Sequence, residues 1–192
     1  MADNTKDMNN EGQISQEELS ELLKVRREKL EKLQSEGKDP FQKVKYPVDT
    51  HTNEIVERYS EDEGKEVAIA GRLMAKRVMG KASFANIQDR NGRMQLYVSR
   101  NDIGEESYAD FKKYDIGDII GVKGTVFTTK MGEISVHATE VVLLSKSLQI
   151  LPEKFHGLKD QELRYRQRYM DLIVNPEVKE VFFKRSAICC CA

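Results

Sequence analysis

The sequence lacks a long apolar run. No stretch approaches the roughly 20 consecutive apolar residues that a membrane-spanning helix needs. Residues 1–12 are polar and acidic, without the apolar centre of a signal peptide. We therefore expect a cytoplasmic protein that has no membrane partner.

Cysteine is scarce, and its placement excludes two classes of site. The three cysteines are adjacent at residues 189–191, a spacing that suits neither a disulfide framework nor a zinc site. The sequence also has no glycine-rich loop of the kind that cradles phosphates. We predict no metal site and no catalytic residue, and we interpret the cysteines as a tail without function. A metal or redox role is the weaker alternative.

The sequence has little net charge, at -1 over 192 residues. The overall balance of acidic and basic residues therefore does not indicate a nucleic-acid-binding protein. The charges are nevertheless unevenly distributed. Residues 72–100 contain seven Arg or Lys and one Asp, whereas residues 1–21 contain one Lys and six Asp or Glu. A basic segment in a near-neutral chain predicts a local site for an anionic partner.

The first 64 residues are predicted to be helical or irregular. We expect a disordered tail over residues 1–14, followed by an N-terminal helical extension and linker over residues 15–64. An amphipathic helix over residues 16–36 has a leucine stripe that needs a partner, and a short helix is expected over residues 53–59. The basic residues of the long helix could touch RNA, but we favour a solvated face.

From residue 65 onward, alternating apolar and polar residues predict five strands, with a helix over residues 105–113 between the third and the fourth. The predicted strands are residues 67–79, 83–89, 94–99, 118–129 and 134–144. This order is that of the OB-fold, a Greek-key barrel that binds oligonucleotides on strands 2 and 3 and through the loops 1–2 and 4–5. Other small barrels share it. The predicted fold is mixed and mainly β, with the OB barrel over residues 65–146.

Two glycines carry specific predictions. Gly71 lies inside the first strand, where a glycine is typical of a bulge or a tight bend. The pair Asn91-Gly92 lies between strands two and three and predicts a hairpin turn, because both residue types tolerate the positive φ angles that such turns require.

Strands two and three are predicted to present an aromatic and amide face outward. Side chains alternate along a strand, so the apolar residues must point into the barrel. Phe84 and Tyr97 then lie outward among Asn86, Gln88 and Gln95. Bases stack on such rings, for about 1–3 kcal/mol per base, and amides read base edges. The alternatives are a buried Phe84, if the register slips by one residue, and ordinary solvent-facing roles for the others.

The two predicted binding loops carry charged residues. Arg77 and Lys81 flank the turn between strands one and two, and Glu133 lies in the turn between strands four and five. The cations would follow phosphates, and Glu133 is a candidate base reader because a carboxylate accepts hydrogen bonds from bases. Plain solvated charges are the alternative for all three.

After residue 146 the pattern becomes helical again. A connector precedes a predicted helix over residues 161–174, which ends at Asn175-Pro176, and a last helix begins at Glu177. This last helix is apolar and uncapped, so we expect residues 147–192 to be a connector followed by a truncated helical remnant.

Several segments together resemble those of one enzyme family. The segments RVMGKASF at residues 77–84, GRMQLYV at 92–98 and GEISVH at 132–137 are similar to the anticodon-binding domain of the bacterial-type lysyl-tRNA synthetases. The stretch PEKFHGLKDQELRYRQRYMDLIVNP at residues 152–176 is similar to their path into the catalytic domain, and FFKRSAI at residues 182–188 resembles the opening of the first class II signature motif.

The resemblance implies roles for matched residues. Phe84 would stack on an anticodon base, Gln95 and Arg77 would contact the central uridine, and Glu133 would contact a neighbouring base. Lys81, Asn86 and Tyr97 are further candidate RNA contacts.

The resemblance also implies lysine–tRNA ligation with ATP and Mg²⁺, and a homodimer, for the full-length family. The second and third class II motifs have no counterpart in this sequence, so we expect tRNA binding without cofactor or catalysis. A general single-strand binder and a protein-interaction module are the alternatives.

Overall fold

A computed structural model describes residues 16–151 and 161–191 of the chain, which divides into two compact units between Ile150 and Leu151. The predicted tail over residues 1–14 and most of the connector after Leu151 lie outside the described residues. In the first unit the helices are α1 Gln16–Ser35, α2 Thr52–Glu57, α3 Tyr59–Asp62, α4 Arg100–Ile103 and α5 Glu105–Lys113, with a 3-10 turn at Pro40–Gln42. The division into four sequence segments stays a prediction.

Five strands close into a barrel in the order β1-β2-β3-β5-β4. β3 and β5 pair in parallel, and the other four pairings are antiparallel. The strands are β1 Glu66–Met79, β2 Ala82–Gln88, β3 Arg93–Ser99, β4 Ile119–Thr128 and β5 Ile134–Ser145. The predicted mixed, mainly β fold with an OB barrel and flanking helices is confirmed, and α5 has the predicted bounds.

Strand alternation produces the core. Every second residue of β2 and β3 points inward, and these side chains are at most 2% exposed. α5 closes the barrel with Tyr108 and Phe111, which are 1% and 0% exposed. The buried residues that share this interior include Leu73, Ala85, Ile87, Met94, Leu96, Val98, Val122, Val126 and Val136. Burial of this apolar set fixes the strand register, since a slip of one residue would turn it to solvent.

The irregularity of β1 lies beyond its predicted position. The register with β2 shifts between Leu73 and Ala75 rather than at Gly71. Gly71 is needed instead for a close approach, since a Cβ there would lie 2.9 Å from the Gln88 carbonyl oxygen. Gly124 on β4 is tighter still, because a Cβ would lie 2.2 Å from the His137 carbonyl oxygen.

The β2–β3 turn does not use the predicted positive φ angles. Neither Asn91 nor Gly92 has a positive φ, so this part of the prediction is wrong. The Asp89 carboxylate holds the turn instead, accepting hydrogen bonds from the backbone N–H groups of Asn91 and Gly92 at 2.8 and 2.7 Å. It also accepts from the backbone and hydroxyl of Thr52. Burial raises the pKa of Asp89, but these hydrogen bonds hold that pKa below its ordinary value.

The basic residues of α1 fasten the helix to the barrel. Arg26 donates hydrogen bonds to the carbonyl oxygens of Ile116, Ser147 and Gln149, and Leu33 packs against the core. These contacts supply the partner that the leucine stripe requires near the end of the helix. Nearer the start of the helix, Leu22 is 43% exposed.

A buried ion-pair cluster lies beneath this junction. The Lys146 Nζ atom is 2.7 Å from Asp118 Oδ2 and 2.5 Å from Asp115 Oδ2, and Lys29 of α1 is 2.7 Å from the other Asp115 oxygen. Burial raises the pKa of Asp115, but the two lysines lower it below its ordinary value. The cluster therefore joins α1, the start of β4 and the end of β5.

The second unit is described over Leu151 and residues 161–191. Its helices are α6 Gln161–Arg166, α7 Arg168–Val174 and α8 Pro176–Cys191. The prediction of a single helix over residues 161–174 is therefore wrong, because the helix is interrupted at Gln167. Asp171 joins the two pieces, pairing with both Arg164 and Arg168.

The described residues limit two kinds of site. None of the described helices combines the length and the apolar composition that crossing a bilayer requires. No three His, Cys, Asp or Glu side chains within the described ranges are grouped to hold a metal ion. The three cysteines of α8 are exposed and free.

Candidate nucleic-acid interface

Four outward side chains stand in one row across the barrel wall. Arg77 on β1 is paired with Phe84 on β2, Phe84 with Tyr97 on β3, and Tyr97 with His137 on β5. Directly paired residues share a face of the sheet, so the four side chains lie side by side. The row places a cation, two aromatic rings and an imidazole on the face that OB-folds use for oligonucleotides.

The aromatic members of this row are in contact. The ring centroids of Phe84 and Tyr97 are 5.3 Å apart with an interplanar angle of 57°. Both side chains are partly exposed, whereas their strand neighbours Ala85 and Leu96 are buried. Tilted rings at this spacing attract each other and hold a fixed apolar surface toward solvent. Such a surface can stack a base.

A second row, one pleat along, carries the hydrogen-bonding groups. The Gln95 amide nitrogen donates to Glu133 Oε2 at 2.7 Å, and the Ser135 hydroxyl donates to the Gln95 amide oxygen at 2.9 Å. The structure thus brings the two predicted base readers together as one unit. Asn86 is paired with Gln95 across the β2–β3 ladder and is partly exposed. A base at this row would meet donors and acceptors that are already oriented.

The two predicted loop cations occupy different positions. Arg77 lies within β1, as the strand predicted over residues 67–79 implies, and Lys81 occupies the turn beside Gly80. Both side chains are exposed. Among the described residues neither has a hydrogen-bond or ion-pair partner, so both charges are available to an anion.

Two cations of the basic segment over residues 72–100 serve the fold. Arg72 donates to the Gly117 carbonyl oxygen. Lys76 donates to the carbonyl oxygens of Phe111, Lys112 and Tyr114 at the end of α5. Burial lowers the pKa of Lys76. These two cations donate hydrogen bonds to carbonyl groups at the helix end and in the adjacent turn.

The sequence of the barrel matches a known family. Residues 67–144 match the tRNA anticodon family model, which is described as an OB-fold nucleic acid binding domain. The match covers β1 through most of β5, including both rows. Residues 67–144 therefore belong to an OB-fold domain, in agreement with the barrel topology.

The sequence of the chain, including the OB domain, is similar to those of lysine–tRNA ligases. It is 59% identical over 172 residues, 90% of this chain, to that of Thermoanaerobacter sp. strain X514. It is 57% identical over 174 residues, 90% of the chain, to that of Clostridium botulinum strain Hall, and 58% identical over 172 residues, 89% of the chain, to that of Clostridium novyi strain NT. The chain spans 34% of the length of each. The resemblance to lysyl-tRNA synthetases is confirmed.

The OB domain also has outward aromatic groups that the sequence analysis did not single out. The ring centroid of His137 is 5.1 Å from that of Tyr97, and Phe127 on β4 is 6.3 Å from Tyr97. The His137 Nε2 atom is 2.8 Å from Asp102 Oδ2, and this hydrogen bond lowers the pKa of Asp102. The alternation of Val126 with Phe127 could have indicated this extension.

Proposed function

We propose that this face of the OB domain binds the anticodon loop of a lysine tRNA. The observation that carries the proposal is the arrangement of the two rows, with the Phe84–Tyr97 surface in one and the hydrogen-bonded Gln95–Glu133 pair in the next. Single-stranded RNA is recognised by stacking splayed-out bases on aromatic rings and by hydrogen bonds to base edges. The similarity to lysine–tRNA ligases supports the choice of tRNA.

Each residue has a separate role in the proposal. Phe84 stacks on one anticodon base. Gln95 and Arg77 contact the central uridine, and Glu133 accepts a hydrogen bond from a neighbouring base. Lys81 draws the phosphates toward the face, since its side chain is exposed in the turn between β1 and β2. Tyr97 widens the stacking surface, while Asn86 adds an amide next to Gln95.

The decisive experiment measures binding of the chain to a stem-loop with a UUU anticodon and to the same stem-loop with the central uridine changed to cytidine. Salt must be constant because phosphate contacts make affinity salt-dependent. We expect preference for uridine, which Gln95→Ala reduces more than it reduces total binding. Phe84→Ala should weaken binding by about 1–3 kcal/mol.

Lys123→Ala is the matched charge control for Arg77→Ala. Lys123 lies four residues before Phe127 on β4 and pairs with Glu140, so its loss changes the net charge equally but away from the two rows. Arg77→Ala should weaken binding to the uridine loop more than Lys123→Ala does. Equal affinity for both stem-loops would reduce the site to a general single-strand surface, and no binding by the folded chain would refute the proposal.

The relatives are named as ligases, and we propose that this chain supplies tRNA recognition without ligation. ATP and Mg²⁺, implied for the full-length family, are not held by this chain in the proposal. Lysine-dependent exchange between ATP and pyrophosphate should therefore be absent, and measurable exchange would contradict this. A homodimer and a cytoplasmic location stay predictions, which sedimentation across a concentration series and cell fractionation would test.

A further inference from the structure

The outer face of the barrel carries more aromatic surface than one stacked base requires. Beyond Tyr97 lie Phe127 and His137, whose ring centroids are 5.9 Å apart. Each is partly exposed, while its strand neighbours Val126 and Val136 are 0% exposed. The rings therefore lie outside the core, and their cluster is a solvent-facing surface on β4 and β5.

Asp102 fixes the imidazole at the edge of this cluster. Its carboxylate accepts hydrogen bonds only, because its lowered pKa keeps it ionised at neutral pH. The His137 Nε2 atom, 2.8 Å away, must then be the protonated nitrogen. In the neutral ring Nδ1 is left as an acceptor, and it has no partner among the described residues. The imidazole is held in one tautomer beside the ring of Phe127.

The spacing of the rings suits consecutive nucleotides. Phe84 and His137 lie on opposite sides of Tyr97, at centroid distances of 5.3 and 5.1 Å. A base on Phe84 covers one side of this tyrosine and leaves the other side open. An RNA strand that crosses the sheet from β2 toward β5 thus meets a second aromatic surface immediately after the first.

We propose that Phe127 and His137 form a second base-stacking subsite, which takes the nucleotide next to the one stacked on Phe84. Asp102 is a positioning residue, which orients the imidazole without contacting the base. The inference rests on the proposed function, since it assumes that this face binds single-stranded RNA. It adds two contact residues and one positioning residue to those that the resemblance implies.

Photo-crosslinking locates the two subsites. 5-Iodouridine keeps the hydrogen-bonding edge of uridine, and replacing the three uridines of a UUU anticodon one at a time gives three probes. After irradiation with the full chain, mass spectrometry should map one probe to Phe84 and an adjacent probe to Phe127 or His137. Crosslinks confined to Phe84 and Tyr97 would overturn the second subsite.

Affinity measurements give an independent test. Phe127→Leu keeps apolar bulk but removes the aromatic face, and it should weaken stem-loop binding about fivefold or more, as expected for the loss of a stacked base. Phe41→Leu is the matched control, since Phe41 is 48% exposed and lies outside the five strands. The control should bind as the unchanged chain does.

The role of Asp102 needs a readout of the imidazole itself. Asp102→Ala should mix the two tautomers of His137, visible in its ring ¹⁵N chemical shifts, and should lower crosslinking at the second subsite but not at Phe84. Asp102→Asn should restore the single tautomer in part, because its amide oxygen still accepts from Nε2–H. An unchanged ¹⁵N spectrum in the alanine variant would overturn the positioning role.

The outcomes separate this inference from the proposed function. If Phe84→Leu weakens binding while Phe127→Leu and His137→Leu bind normally, the second subsite is refuted and anticodon binding stands. If the unchanged chain fails to bind the stem-loop, both are refuted.

Discussion

Replacing Lys146 by methionine should destabilise the barrel more than any loss of a surface charge. Its side chain is 1% exposed, and its Nζ atom is 2.7 Å from a carboxylate oxygen of Asp118, whose side chain is 0% exposed. Methionine keeps most of the volume but leaves the Asp118 charge without its cation. Removing one partner of a buried ion pair costs about 3–5 kcal/mol.

The surroundings of Asp118 place the expected cost near the lower end of that range. Its carboxylate would still accept hydrogen bonds from the backbone N–H groups of Asp115 and Ser147, each at 2.8 Å. Lys29 would still pair with Asp115. We therefore expect Lys146→Met to lower the free energy of unfolding by about 3 kcal/mol.

Urea unfolding followed by circular dichroism measures this loss, and two variants make it interpretable. Lys123→Met breaks an ion pair whose side chains are 40% and 51% exposed, and it should cost no more than about 1 kcal/mol. Adding Asp118→Asn to Lys146→Met should recover part of the stability, because the uncompensated buried charge is then gone. A loss below about 1 kcal/mol for Lys146→Met, or equal losses for the two lysines, would refute the reasoning.

Three further predictions concern the fold around the interface. Gly124→Ala should cost at least about 1–3 kcal/mol in urea unfolding, because its Cβ would lie 2.2 Å from a backbone carbonyl oxygen and the strands must separate. Lys76→Met should cost about 1.5–3 kcal/mol by the same measurement while leaving the RNA affinity of the folded chain unchanged, since its amine contacts backbone carbonyl groups near the end of α5 and the ring of Phe111. The lowered pKa of Asp89 means that its stabilising effect is present above its ordinary value of 3.8 and is lost as pH falls through its depressed value. The urea midpoint should thus fall as the pH drops from 3.8 toward the depressed pKa, and less steeply in Asp89→Asn.

The sequence by itself determined the barrel fold and which residues of β2 and β3 face outward. Alternation along β2 and β3 separates buried residues such as Ile87 from outward ones such as Phe84, because burial of one face is decided within each strand. The bounds of α5 also follow from local pattern. The resemblance to lysyl-tRNA synthetases rests on segments that are contiguous in the chain.

Tertiary structure alone decided which charged and polar groups are available. In sequence, Arg77 and Lys76 are adjacent and both basic. Arg77 is exposed, whereas Lys76 donates hydrogen bonds to backbone carbonyl groups near the end of α5. The same holds for Asn91-Gly92, whose turn depends on Asp89 and its contact with α2.

The extended aromatic surface depends on strands that are distant in sequence. Tyr97 meets His137 only because β3 and β5 pair in parallel, and Gln95 meets Glu133 for the same reason. Local patterns specify the face on which a side chain lies. Its partner is specified by the register of strands about 40 residues apart, and that register is set by the packing of the whole core.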